Sequence, residues 1–269
     1  MKKLTGYALL IIVLSSILAF DGCKRGDDDP FFSIRSRKAR VTGDWTFEAF
    51  ESIINKHFSS TGYDATVDFK LTGNNISIKV DSIHTTHDTT KTTNGIVKEA
   101  TYRFDKNSKM EYRFDYELTW INGNGVGVTD ENTNITTLIK IVTNVRIRAY
   151  GTWNFISNVE KNGVHKYKNK ERLSLIFETF NENTQVVSTT EVTDEEGTQI
   201  SFDYTATSES YEHKYANGEN AQIWVLQELR NNKIVMNRDI DYLEVSNTDS
   251  IGTSYQQKGN ETATLKPTK

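Results

Sequence analysis

The segment Ile139-Lys140-Ile141-Val142-Thr143-Asn144-Val145-Arg146-Ile147-Arg148-Ala149-Tyr150-Gly151-Thr152-Trp153-Asn154-Phe155-Ile156 decides how the rest of this chain is read. Apolar and polar residues alternate along it with a period of two, the pattern of a strand buried on one face. After a polar turn the alternation resumes in Leu173-Ser174-Leu175-Ile176-Phe177. Gly151-Thr152-Trp153 sits inside this block, and Gly43-Asp44-Trp45 places a second Gly-x-Trp at the opening of the first regular strand. A bulky indole beside a flexible glycine suits the plugged end of a small barrel or sandwich.

The same period extends in both directions. Val67-Asp68-Phe69-Lys70-Leu71 and Ile76-Ser77-Ile78-Lys79-Val80 flank Thr72-Gly73-Asn74-Asn75, turn residues that accept a positive φ, and predict a hairpin. Ala100 to Phe104 and Met110 to Leu118 predict another across Asp105-Lys106-Asn107-Ser108. Downstream, 173–177, 185–192, 199–206, 223–229, 234–236 and 240–245 read as strands, divided by Glu196-Gly197, Asn217-Gly218 and Asn231-Asn232. The opening of the body is two-faced. Trp45, Phe47 and Ala49 alternate as a strand, yet Phe47, Phe50, Ile53, Ile54 and Phe58 fit a helix face, so strand first and irregular or helical later is expected. From Thr248 the alternation fades, and 259–269 reads as a disordered polar tail.

Composition agrees with an all-β chain. Thr, Tyr, Phe, Val and Ile suit a pleated, half-buried surface, and Pro occurs only at 30 and 267. The 32 Lys and Arg against 36 Asp and Glu leave no basic field to draw in nucleic acid. Tandem barrels fit the length, since the two Gly-x-Trp motifs are well separated. No Pro-, Gly- or Ser-rich linker interrupts 140–150, however, and domain boundaries fall in exposed polar segments. One antiparallel β-domain over 41–258, a barrel or sandwich meander, is the expectation.

The start of the chain carries its own signals. Lys2 and Lys3 precede an apolar run from Tyr7 to Phe20, shorter than the roughly 20 residues a spanning helix needs. Residues 1–22 therefore read as a secretory signal peptide. The only cysteine, Cys23, follows directly. The segment resembles a bacterial lipoprotein signal, in which such a cysteine becomes the lipidated N-terminus, although Phe20 and Asp21 stand where Leu and a small residue are usual. Lys24-Arg25-Gly26-Asp27-Asp28-Asp29-Pro30 is a charged tether, similar to the export signal of surface lipoproteins of Bacteroidota. Residues 23–40 thus read as lipidated cysteine, tether and a short solvated basic helix carrying Arg35, Arg37, Lys38 and Arg40. The opening through Gly43-Asp44-Trp45, and Gly151-Thr152-Trp153 with Tyr167-Lys168-Asn169-Lys170-Glu171, resemble lipocalin-like lipoproteins of that group. The resemblance implies an outer-membrane location with attachment through Cys23, a barrel plugged by Trp45, and a late basic residue packed on the plug. Arg238 is the candidate for that residue, followed by Arg230.

Chemistry is sparse. No Ser/His/Asp or Cys/His set suggests itself, and the carboxylates are scattered, so no enzyme, metal or cofactor is expected and an envelope hydrolase ranks last. His84-Thr85-Thr86-His87-Asp88 has metal-ligand residue types, but in a strand His84 and His87 point to opposite faces, and a polar loop is expected. Asn122-Gly123-Asn124-Gly125-Val126-Gly127 lacks the Lys-Ser/Thr of a phosphate loop and reads as a loop at the open end, where a ligand would enter. Trp45 and Trp153 are expected as core; Trp120 and Trp224 are the candidate ligand-binding residues. The function expected is a non-catalytic binding module for a small apolar ligand, with an accessory surface lipoprotein acting through protein–protein contacts as the alternative.

Overall fold

Backbone hydrogen bonds between strands far apart in sequence close this chain on itself. The structure, a computed structural model, describes residues 36–59, 63–83, 88–123, 127–131, 133–156, 160–161, 164–165, 171–216, 218–246 and 253–268. Cys23, His84 and His87, the middle of the Asn122–Gly127 loop and Tyr167–Lys170 lie outside them.

Among the described residues one short helix, α1 (Arg37–Val41), precedes fourteen strands: β1 (Gly43–Phe58), β2 (Tyr63–Thr72), β3 (Asn75–Ile83), β4 (Asp88–Phe104), β5 (Lys109–Ile121), β6 (Val128–Asp130), β7 (Ile135–Ile156), β8 (Glu160–Lys161), β9 (Val164–His165), β10 (Arg172–Thr193), β11 (Gln199–Lys214), β12 (Asn220–Arg230), β13 (Lys233–Ser246) and β14 (Thr253–Pro267). All but the β8–β9 pair belong to one antiparallel sheet of 12 strands. The all-β expectation holds.

The wall differs between its two ends. At the base, Gly43–Thr46 of β1 pair with Phe104–Thr101 of β4, so the ring runs β1, β4, β5, β7, β10, β12, β13, β14 and back to β1. Farther along, the β2–β3 hairpin inserts between β1 and β4, and β11 replaces β12 beside β10 from Thr179 onward. β12 and β13 pair only from Val225–Asn237 to Arg230–Lys233. Beyond that point Arg238–Ser246 of β13 keep β14 on one side and have no strand on the other among the described residues. The barrel is closed at its base and split along one side above it.

Register shifts explain where sequence patterning misleads. β1 shifts between Phe47 and Ala49, so Glu48 is the extra residue of a bulge. Trp45 and Phe47 face inward before it; Phe50 and Ser52 face inward after it. That phase reset makes one strand look like a strand followed by a helix. β10 behaves alike, with a shift between Phe177 and Thr179, and is one 22-residue strand rather than two.

Both Gly-x-Trp motifs lie at the base, and Trp45 and Trp153 share one core with Phe104, Leu173, Leu229 and Leu265. Their glycines serve different needs. Gly43 holds a φ of 141°, which a side chain disfavours. Gly151 lies so near β10 that a Cβ would stand 1.9 Å from the Ile176 carbonyl oxygen. Trp45 Nε1 donates to the Val41 carbonyl at 2.7 Å, and Trp153 Nε1 to the Asp105 carbonyl at 3.1 Å, so both indoles are buried with their polar atoms satisfied.

Two expectations need correction. The basic helix is present, but Arg37 and Arg40 are buried rather than solvated. α1 lies across the base, where Arg40 donates to the Leu229 carbonyl at 2.6 Å and Lys38 sits 5.7 Å from the Trp153 ring centre. The open carbonyls and aromatic rims of the ring's end offer these cations partners that water would otherwise provide. The polar tail is instead β14, hydrogen-bonded to β1 on one side and β13 on the other. Glu261, Ala263 and Leu265 point inward and are buried, whereas Thr262 and Lys266 face out.

Candidate functional site

Above the plugged base, the ring encloses a cavity of about 160 Å³. Its walls divide by chemistry. Phe47 and Phe50 of β1, Leu71 of β2, Tyr102 of β4, Tyr112 and Phe114 of β5, and Phe177 and Phe180 of β10 form the apolar side. Asn220, Gln222 and Trp224 of β12, Arg238 of β13 and Glu261 of β14 form the other. These last three strands are neighbours in the sheet, so the polar groups share one wall. They flank the place where β12 and β13 stop pairing.

The apolar side is held by aromatic contacts. Phe47 and Tyr102 have ring centres 5.2 Å apart, and Tyr102 and Tyr112 are 4.9 Å apart. Such offset and tilted geometries add ~0.5–1.5 kcal/mol beyond area burial. Burial pushes the Tyr102 hydroxyl well above the ordinary tyrosine range; Arg238 pulls against that shift and Glu261 adds to it. Tyr112 is raised by burial first and then by Tyr102 beside it. Both hydroxyls therefore stay neutral.

The polar wall is organised by one ion pair. Arg238 Nε donates to Glu261 Oε2, with 20% and 8% of the two side chains exposed. The other Glu261 oxygen accepts from Ser52 Oγ at 3.1 Å. Arg238 also lies 5.1 Å from the Trp224 ring centre, a cation–π contact, while Trp224 Nε1 donates to Gln222 Oε1 at 3.3 Å. Glu261 is thus satisfied on both oxygens. Arg238 lines the cavity and uses Nε for this pair; among the described residues its terminal nitrogens make no further hydrogen bond.

The two candidate ligand-binding tryptophans are not together. Trp224 lines the cavity and is buried. Trp120 does not: it lies six residues along β5 from Phe114, about 20 Å at strand rise, with Lys91 4.7 Å from its ring centre. The described ends of the Asn122–Gly127 loop lie at this distant end as well. Asn122 is pinned there, donating to the Thr137 carbonyl at 2.9 Å and accepting from the Ile139 amide at 2.8 Å. Arg238 packs on Trp224, not on Trp45, because the register places it beside Glu261, which pairs with Ser52 of β1, seven residues along the strand from Trp45. Arg230 pairs with Glu228.

Sequence reasoning missed Glu261 and Ser52. Arg238 had a legible signal, since it follows Ile234 and Met236 in the inward phase of β13. Elsewhere, His57 and Asp64 meet at 2.6 Å on the outer surface, and Arg148 bridges Asp115 and Glu99 outside β4, β5 and β7. The His57–Asp64 pair is about half exposed and contributes little. Among the described residues, no group of three or more His, Cys, Asp or Glu is placed to hold a metal ion.

No protein-family profile matches this chain, and no curated protein matches it in sequence. The class is set by the fold: an antiparallel β-barrel protein, plugged at one end and split along one side. Within it lies a small aromatic cavity with a polar wall.

Proposed function

We propose that this protein is a cell-envelope lipoprotein, tethered to the outer membrane through lipid on Cys23, whose barrel is a non-catalytic binding module for a small apolar ligand. The observation that carries the binding reading is the aromatic cavity above the Trp45–Trp153 base. A cavity of about 150 Å³ lined by apolar side chains takes up a benzene-sized guest, so this one suits a single ring or the end of an acyl chain and not a haem. Access runs through the split beside Trp224 and Arg238, a shorter route than the distant Asn122–Gly127 end.

Calorimetric titration of the protein with toluene tests this. Saturable binding that also changes the fluorescence of the wild type, and changes it less in Trp224→Phe, is expected. Heat of dilution alone, with toluene and with short-chain alcohols, would remove the binding reading.

The alternative, an accessory surface lipoprotein working through protein contacts, draws support from β11. Among the described residues that strand pairs only with β10, and Ile200, Phe202 and Tyr204 are 57%, 54% and 62% exposed on one of its faces. A long open edge with an apolar face is a template for another chain. If toluene fails to bind while Phe202→Glu abolishes a native cross-link on whole cells, this second reading stands.

A further inference from the structure

The polar wall of the cavity says what the ligand must carry. An apolar pocket alone would take a plain hydrocarbon, and a pocket with a free arginine would take a carboxylate. This site is neither. Arg238 brings a positive charge to the cavity surface, and Glu261 cancels it from the neighbouring strand. Ser52 donates to the remaining carboxylate oxygen, so Glu261 is already satisfied without a guest. What this wall still offers a guest is uncharged in sum: the terminal guanidinium N–H groups of Arg238, which make no other hydrogen bond among the described residues, and the amides of Gln222 and Asn220, each a donor and an acceptor, with the Gln222 oxygen already accepting from Trp224.

We infer that the cavity selects an uncharged, ring-sized amphiphile whose single hydroxyl or carbonyl oxygen accepts a hydrogen bond from Arg238, with Glu261 as the residue that enforces neutrality. This inference rests on the binding reading above. Its physical basis is desolvation. Bringing a charged group into a low-dielectric site is costly unless a partner is free to pair with it. An anion would meet Arg238 but also the Glu261 carboxylate beside it. A cation would meet Glu261 but only past Arg238. A neutral oxygen takes the available donors and disturbs neither, while the ring lies against Phe47, Tyr102, Tyr112 and Phe177. The neutral hydroxyls of Tyr102 and Tyr112 add no charge to this balance.

The test holds shape constant and varies charge. Benzyl alcohol, benzoate and benzylammonium carry one ring and one polar group each, and toluene carries none. At neutral pH the wild-type protein is expected to bind benzyl alcohol at least about tenfold more tightly than benzoate or benzylammonium, and more tightly than toluene. Glu261→Gln leaves Arg238 uncompensated and should turn the preference toward benzoate; Arg238→Gln leaves Glu261 uncompensated and should turn it toward benzylammonium. The wild-type ranking stands as a readout even if one variant fails to fold. Toluene binding with equal affinities for the three polar probes overturns the selectivity inference and leaves the binding reading intact. No binding by any of the four overturns both. A wild-type preference for benzoate overturns the assignment of Glu261 as the neutralising group.

Discussion

Leu265→Ala separates a closing strand from a frayed tail. In the structure Leu265 is fully buried, opposite Phe47 of β1 and Ile234 of β13. Truncation removes about three methylene-sized groups, worth ~0.8 kcal/mol each in transfer alone. The ring on both sides is hydrogen-bonded and collapses little, so a cavity term adds to this and the total comes to about 3 kcal/mol, inside the 2–5 kcal/mol range for buried leucines. At about 2–4 °C per kcal/mol for a chain of this size, the melting temperature should fall by roughly 6–12 °C. Lys266→Ala is the control, because the neighbouring side chain faces solvent and a surface change stays within about 0.5 kcal/mol. Both variants are followed by thermal unfolding and by urea denaturation with circular dichroism. Equal shifts for the two, within error, would mean that β14 is not part of the ring.

Trp45→Ala should cost ~3–5 kcal/mol, the range for a buried aromatic, and Trp120→Ala clearly less, since Trp45 is 3% exposed and plugs the base; equal urea midpoints would contradict the plug. Three tyrosines should ionise late. Burial pushes Tyr116 up to about 12, with Glu182 adding to the shift, and burial also raises Tyr102 and Tyr112. Because these are raised values of a group that charges on losing its proton, nothing changes below the ordinary tyrosine pKa near 10; between there and about 12 the unfolded chain loses protons that the fold retains, and stability falls. An alkaline titration of phenolate absorbance should show this late phase, reduced in Tyr116→Phe, and a single transition near pH 10 in still-native protein would refute it. Cys23→Ala should move the protein from the detergent to the aqueous phase of a Triton X-114 partition; wild-type protein from its own envelope found in the aqueous phase would end the lipid-anchor proposal.

The two-residue period determined the class of this fold by itself. Side chains on a strand alternate between faces by covalent geometry, so Ile139–Ile147 and Val67–Leu71 announce strands whatever surrounds them. Turn chemistry at Gly73 and Gly197 was equally local. What sequence alone misplaced depended on partners. A single extra residue at Glu48 or Glu178 reverses inside and outside, and whether it bulges is set by the strands alongside. The Gly-Asn-Glu-Thr-Ala-Thr-Leu run of β14 looks polar because only three of its positions face inward, and it becomes a strand only when β1 and β13 supply hydrogen bonds on both edges. The cavity is further still from the sequence. Arg238 and Glu261 meet because β13 and β14 pair, and Trp224 joins them because the β12–β13 register, with Val225 opposite Asn237, puts it beside Arg238 just where the two strands part; no local pattern encodes that register or that parting. Tertiary closure therefore decided which charges are buried, which cancel, and where the barrel opens.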